Sequence, residues 1–574
     1  MSDDIASLVT NNLDLWAGAV ERKSGAGRGK KVNFYGVERL RALILDLAVR
    51  GRLVPQNARD EPAIAALDRI ARAGNTKVGA RSGRKRKAIA ALPHDLPALP
   101  LGWAWTQLGT IAEISPGNQA ADDLEVSFVP MTLVSTSISG EHEAETRRWG
   151  DVKKGFTHLA EGDIGLAKIT PCFENGKAAI FQNLKNGIGA GTTELHVARP
   201  WSSEINRRYV LITMKTASYL GKGEAQMTGT AGQKRVTRTY FEASPLPFPP
   251  LAEQQRIIAK VDELMGLCDV LEAQSASVLE AHQTLVDALL ATLVAATDSA
   301  DLCRRWARLE GHFDTLFTTE VSIEALQQVA LELAVRGKLV EQDPEDRPAA
   351  LLLKELTDSI GSDRRHGKSG QSRATAIAQE EIPYEIPDGW AWARFDQIAK
   401  VRAELVQSLD HPDALQIAPD IIEKGTGKLL STRTVREAGV RGPNSRFYAG
   451  QIIYSKIRPS LSKAVIAEFD GLCSADMYPL ESKIDSSFLL NVILSESFLR
   501  QVRAAENRIK MPKLNKESLG SFIVAVPPLA EQHRIVAKMD ELNALCDSLK
   551  AGLAEAAKTR KHVADAMVER AAAA

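Results

Sequence analysis

The chain has little cysteine, and nothing is arranged around what it has. Cys172, Cys268, Cys303, Cys473 and Cys546 form no CxxC pair and no cysteine–histidine cluster. That excludes a disulfide framework and a structural zinc of the usual spacing, and it reads as free thiols in a reducing cytoplasm. No apolar run approaches the ~18 residues of a membrane span, and the opening MSDDIASLV lacks the basic start of a secretory signal. Charge of one sign is also missing: 72 basic and 72 acidic residues leave a formal net charge of zero. A nucleic-acid partner would have to meet positive charge gathered locally.

Catalytic signatures are absent as well. An adenine methyltransferase would need an (Asn/Asp)-Pro-Pro-aromatic tetrad and a glycine-rich cofactor loop, but the Pro-Pro pairs here read FPPL and VPPL. No GxxxxGK(S/T) loop appears; GSDRRHGKS from Gly361 has one residue too many between its glycines. Pro419–Asp420 with Glu481–Lys483 fits the PD…(D/E)xK pattern of metal nucleases, a pattern short enough to arise by chance in so long a chain.

What is present is repetition. At 574 residues the chain exceeds one hydrophobic core, and 44% hydrophobic with 25% charged residues is an ordinary globular mixture. PPLAEQQRIIAKVDELMGLCD (249–269) returns from Pro527 as PPLAEQHRIVAKMDELNALCD. LAVRGRLVPQ (47–56) returns as LAVRGKLVEQ (333–342), and LPLGWAWTQLGTIAEI from Leu99 as IPDGWAWARFDQIAKV from Ile386. GLAKITPCFENGKAAI around Lys168 has a looser echo in IYSKIRPSLSKAVI around Lys456. The order is the same in both halves, so 1–297 and 298–574 read as tandem copies. Flanking motifs match closely while the inserts, about 104–248 and 391–525, barely match. The expected layout is a helical region with a basic linker (1–99), a head (100–250), a long helix (251–297), a second helical region and linker (298–385), a second head (386–528) and a second long helix (529–574).

Each Pro-Pro ends a strand and sets a first helical turn, in which Glu253 and Glu531 suit the helix dipole. Apolar residues then follow a heptad: Ile257, Val261, Leu264, Cys268, Leu271, Val278, Leu285 and Leu289 in the first copy. The second has Ile535, Met539, Leu542, Cys546, Leu549, Leu553, Val563 and Met567. A helix of roughly 45 residues spans about 65–70 Å. Two matched seams favour the helices packing on each other over each packing on its own domain; His282 and Arg560 interrupt the seam. The heads read as α/β domains, each with one twisted sheet.

Basic residues in the heads gather at turns: Lys168, Lys177, Lys234, Arg235 and Arg238 in the first, and Lys456, Arg458, Lys463, Arg508, Lys510, Lys513 and Lys516 in the second. On loops they can neutralise phosphates or, for arginine, grip guanine. In GTAGQKRV, Gly229 and Gly232 permit close backbone approach and Gln233 offers an amide to a base edge. The alternative is that these are solvated surface charges. The segments 75–88 and 362–373 read as flexible basic connectors.

At PPLAEQxRI(I/V)AKxDEL, LAVRGKLV, GWAW and AKITPCFENGK the chain resembles the specificity subunit of a type I restriction–modification system. The resemblance implies an α+β fold with an internal pseudo-twofold: two α/β target-recognition domains joined by two long antiparallel coiled-coil helices. It implies a non-catalytic subunit whose recognition domains each read half of a bipartite, asymmetric double-stranded DNA site. The helices would set the gap and dock two modification (methyltransferase) subunits, with restriction (helicase-nuclease) subunits joining. No cofactor is expected in this chain; S-adenosylmethionine, ATP and magnesium would belong to the partners. The second head departs from the pattern, with RPSLS in place of TPCFENG. A coiled-coil adaptor without sequence-specific DNA binding is the alternative class.

Overall fold

A computed structural model of the chain describes residues 11–23, 31–82, 89–230, 232–296, 299–363, 377–506 and 512–573. Arg508 and Lys510 lie outside the described residues, as does most of 362–373. The chain divides into two compact units, Met1–Ser277 with Ala556–Ala574, and Val278–Glu555. Each unit holds one head, the first stretch of the long helix that follows that head, and the last stretch of the other long helix.

In the first unit, helices α1 (Tyr35–Val49) and α2 (Ala63–Ser82) precede the head, and α3 (Leu251–Val294) leaves it. In the second, α4 (Ser299–Glu310), α5 (Glu320–Val335) and α6 (Ala349–Asp363) precede the head, and α7 (Leu529–Ala573) leaves it. The connector expected over 75–88 is not all connector: 75–82 continues α2 as helix. The alanine-rich first half of the helix (Ala63–Ala73) starts it, and Lys77, Ala80 and Arg81 are good helix formers that extend it despite Gly79.

The repeated motifs build one joint twice. Trp103 donates its indole N–H to Glu253 at 3.1 Å, and Trp390 donates to Glu531 at 3.0 Å. Gln56 Nε2 reaches the other oxygen of Glu253 at 3.3 Å and Gln342 that of Glu531 at 3.1 Å. Gln254 and Gln532 each donate to the carbonyl of the first proline of Pro-Pro, both at 3.0 Å. Arg256 pairs with Asp60 and Arg534 with Asp346, both at 2.6 Å. Gly51 and Gly337 share a left-handed φ of 69°. A Cβ there would stand 2.5 Å from Cγ of Pro100 or Pro387, so the turn after LAVR admits only glycine. Glu253 and Glu531 are thus buried acceptors, and burial pushes both carboxyls up. The helix-dipole reading of these residues missed their main partners.

Among the described residues the heads each contain two four-stranded sheets and a two-stranded ribbon, not the single sheet expected. In the first head β1 (Ala104–Gln107) pairs with β10 (Pro245–Phe248), closing the insert at its two ends. One sheet runs β2 (Ala112–Ile114), β9 (Leu195–Pro200), β6 (Ile164–Ala167), β7 (Ala178–Ile180), all antiparallel. The other runs β4 (Glu145–Arg148), β3 (Glu125–Val129), β8 (Ile188–Gly191), β5 (Thr157–Ala160), with β8 parallel to β3. In the second head β11 (Ala391–Arg394) pairs with β20 (Ile523–Val526). Its first sheet runs β12 (Ala399–Val401), β19 (Met477–Ser482), β16 (Ile452–Ser455), β17 (Ala464–Ile466). Its second runs β13 (Glu404–Gln407), β15 (Pro443–Phe447), β18 (Gly471–Cys473), β14 (Leu415–Ile417), with β14 parallel to β18. Unlike inserts therefore share a topology. The fourth strand is the exception: β4 is added beside β3, whereas β13 is added at the opposite edge, beside β15.

Along the long helices burial follows the straight-helix period. Ile257, Val261, Leu264, Cys268 and Leu271 are buried, but the next buried positions are Val286, Leu290 and Leu293. The heptad picks Val278 and Leu285 are 67% and 52% exposed, and Leu289 is half-buried. In α7 the buried set is Ile535, Met539 and Cys546, then Ala564 and Val568, with Leu542, Leu549, Leu553 and Met567 half-buried and Val563 exposed. A strict seven-residue repeat drifts about 20° per heptad on an unsupercoiled helix, which moves the apolar face by one position over this length. Ile535 and Met539 join the core of the second head and α5 (Ala330, Ala334, Phe488). Val286, Leu290 and Leu293 share a core with Ile323 and Leu326 of α5 and with Cys546 of α7. His282 Nε2 donates to the Thr315 carbonyl of this helical region at 3.1 Å.

Each LAVRG(R/K) cation sits at a long-helix end. Arg52 donates to the carbonyl of Ala572 at 2.8 Å. Lys338 reaches the carbonyls of Val294 and Ala296. A cation at a helix C-terminus satisfies free carbonyls and suits the dipole. In the first unit Tyr35 also donates to Asp565 at 2.7 Å, and Arg41 pairs with Asp269 and Glu272 at 2.6 Å, so α1 holds both long helices.

Candidate nucleic-acid interface

The chain leaving β6 runs through Lys168, Ile169 and Thr170, where a second segment joins it. Val236 N donates to the Lys168 carbonyl at 2.8 Å and Thr170 N to the Lys234 carbonyl at 2.9 Å, with a bridge between Ile169 and Arg235. The second head repeats this without repeating the sequence. Leu514 N donates to Lys456 O at 2.8 Å, Arg458 N to Pro512 O at 2.9 Å, and Ile457 bridges Lys513. These two-segment clasps make Lys168 equivalent to Lys456, Thr170 to Arg458, and Arg235 to Lys513.

A third segment completes each clasp. Lys168 N donates to Glu194 O at 2.9 Å and Lys456 N to Asp476 O at 3.0 Å. Both acids open on the same hydroxyl turn: Glu194 N meets Thr192 Oγ1 at 3.2 Å and Asp476 N meets Ser474 Oγ at 3.3 Å. Their carboxylates take the clasp cation. Arg235 grips Glu194 through Nε at 2.9 Å and Nη2 at 2.8 Å, and Lys513 meets Asp476 at 3.0 Å. The Arg235 fork holds the Glu194 carboxyl below its ordinary range. Behind the clasp, His196 contacts the Val236 carbonyl at 3.0 Å and Tyr478 donates to the Leu514 carbonyl at 3.0 Å. Burial pushes the His196 imidazole down, favouring its neutral form.

The basic candidates sort by environment. Gln233, Lys234 and Arg238 are exposed on the first clasp or next to it, and Arg458 and Lys516 on the second. Lys168 and Lys456 are half-buried on the clasps, with Lys456 Nζ 5.2 Å above the Tyr478 ring. Arg235 and Lys513 are ion-paired. Lys177 and Lys463 are tied to backbone: Lys177 donates to Met131 O at 2.9 Å and Lys463 to Pro419 O, each the first residue of a short 3-10 turn. Their charge stabilises that turn. Reading the basic residues alone overlooked Glu194 and Asp476. The available signal was a small hydroxyl residue two positions before an acid (TTELHV, SADMYP).

The first head is braced by buried charge. Arg199 holds Asp163 bidentately at 2.8 Å and also reaches Asn118. Asp163 is fully buried, and burial raises its carboxyl despite that partner. Lys215 donates to three carbonyls, Thr136, Ser137 and Gly176, and burial pushes its ammonium down to about 8. Among the described residues no cluster of His, Cys, Asp and Glu could hold a metal ion.

The family model for the type I restriction modification DNA specificity domain matches residues 100–281 and 420–559. The specificity subunit of the type I restriction enzyme EcoAI of Escherichia coli is 42% identical over 98% of this chain and 99% of its own length. That of EcoEI, also from Escherichia coli, is 40% identical over the same shares. A solved chain from work on assembly and conformational transition of a type I R-M system aligns over 83% of this chain and 99% of its own, at 16% identity and TM-score 0.47.

Proposed function

Because the chain belongs to the family of type I restriction–modification DNA specificity subunits, we propose that its two heads read the two halves of one bipartite, asymmetric DNA site. The observation that carries this is the clasp: the same three segments meet in both heads, while the side chains they expose differ. Thr170 and Lys234 stand in one head where Arg458 and Pro512 stand in the other. A common platform with unlike side chains suits two different short sequences, because base-edge contacts specify while the backbone platform only positions. The candidates Lys168, Gln233, Lys234, Arg238, Lys456, Arg458 and Lys516 are assigned to the DNA surface.

The joint, repeated nearly residue for residue, suits two copies of one partner, and modification subunits of the complex are that partner. The long helices fix the gap between half-sites. Chemistry with S-adenosylmethionine, ATP and magnesium falls to the modification and restriction subunits, and the assembly works in the cytoplasm. Among the described residues no helix is long and apolar enough to cross a membrane.

Methylome sequencing of a host carrying this chain with its modification subunit is expected to show two unlike short motifs at a fixed gap; one contiguous motif refutes the reading. Four residues inserted into both long helices should change the gap and leave both motifs intact. A mere adaptor would show no linear fall of log affinity with log salt on random duplex DNA, whereas a reader does.

A further inference from the structure

We propose that Glu194 and Asp476 are positioning residues for sequence reading, each acting on DNA through the clasp cation that it holds. The proposal rests on the DNA-reading function above and deepens it by naming acidic side chains as part of the reading surface.

A carboxylate beside a surface that meets phosphate opposes binding, so an acid in the same place on two otherwise unlike heads calls for a compensating role. Geometry supplies one. Each nitrogen of the Arg235 guanidinium is engaged: Nε and Nη2 face Glu194, and Nη1 donates to the Gln233 carbonyl at 3.2 Å. Its planar fork therefore fixes the backbone of Gln233 relative to β9, on whose approach Glu194 lies. The loop closes tightly at that point. Gly229 has φ of 126°, and a Cβ there would stand 2.8 Å from the Gln233 carbonyl oxygen. In the second head Lys513 holds Asp476 as a point charge. The adjacent Pro512 carbonyl receives the N–H of Arg458, whose left-handed φ of 45° is unusual for a side chain of that size. In both heads the acid fixes the cation, and the clasp next to the cation carries the exposed side chain: Gln233 in one, Arg458 in the other. Released from its acid, the cation would turn to phosphate, which adds affinity without sequence.

The test uses the full chain co-purified with its modification subunit, selecting duplexes from libraries randomised in one half-site at a time. Glu194→Gln is expected to lower discrimination within the first half-site by roughly tenfold, the scale of one bidentate contact, with the second half-site unchanged; Asp476→Asn should do the reverse. Arg235→Lys keeps the charge but loses the fork, and should relax the first half-site in the same way. The untouched half-site in each molecule reports that the complex is folded. Should Glu194→Gln abolish selection at the first half-site, Glu194→Asp decides: recovery of the original preference supports positioning, and no recovery overturns it. The proposal is also overturned if Glu194→Gln and Arg235→Lys keep the original preference while Arg235→Ala lowers the salt slope by about 0.9, the signature of a plain phosphate contact. A parent complex that selects no sequence at all would instead sink the DNA-reading function itself.

Discussion

Trp103 and Trp390 each commit their one indole N–H to a buried glutamate, and a phenylalanine in either place would keep the ring packing but leave one carboxylate oxygen without its donor. Trp103→Phe and Trp390→Phe should each cost about 1–3 kcal/mol locally, the penalty for a buried acceptor deprived of its donor. Faster hydrogen exchange in the first turn of α3 or α7 respectively would show it. Lys215 gives a pH signature. Its folded value of about 8 lies below the ordinary 10.5. Between those values the unfolded chain holds a proton that the folded head has released, so stability rises with pH across that window and is flat below it. Lys215→Met should remove this rise, read as the pH dependence of exchange protection around 136–140. The thiols offer a third check. Burial pushes Cys268 to about 11 and Cys473 to about 12, while Cys303 is exposed. Alkylation at pH 8 should therefore label Cys303 long before those two.

At the scale of elements, the long helices end where a cation from the other copy of LAVRG(R/K) meets them. Arg52→Ala should fray the end of α7, and Lys338→Ala the end of α3. Each should cost about 0.3–1 kcal/mol, visible as exchange at 568–572 or 290–294 and unchanged elsewhere. The existence and bounds of these helices were legible in sequence, since Pro-Pro starts them and no proline interrupts. Their buried face was legible only as far as Leu271 and Leu549. Beyond that, heptad and straight-helix periods diverge, and no local signal told Leu285 from Val286. The second sheet of each head stayed hidden for a related reason. Strands of three to five residues carry too little alternation to show which sheet they join, and the parallel pairing of β8 with β3 depends on residues some sixty positions apart.

For the whole molecule, repetition is the feature that sequence exposed most fully, because joint residues such as Glu253 and Glu531 must be identical to rebuild the same buried contacts. Clasp equivalence was not legible: it runs through backbone hydrogen bonds, which constrain side chains weakly, so Thr170 and Arg458 occupy one position without resembling each other. The repeated joint makes an exchange feasible. Replacing 104–248 with a second copy of 391–526 should leave both ribbons and both joints intact. DNA selection by such a chain with its modification subunit is expected to yield two copies of the second half-site, and retention of the first motif would contradict the assignment of reading to the heads.

The first unit draws its final pieces from the far end of the polypeptide: Asp565 to Tyr35, Lys561 to Glu21, and Ala572 to Arg52. Domains generally fold in order of synthesis as the ribosome releases them. Here residues 21–52 must wait for residues 561–572 before their helical region closes, while the unit built from residues 278–555 has all its parts sooner. Truncation at residue 555 would accordingly damage the helical region around residues 21–52, some five hundred residues upstream of the missing amino acids.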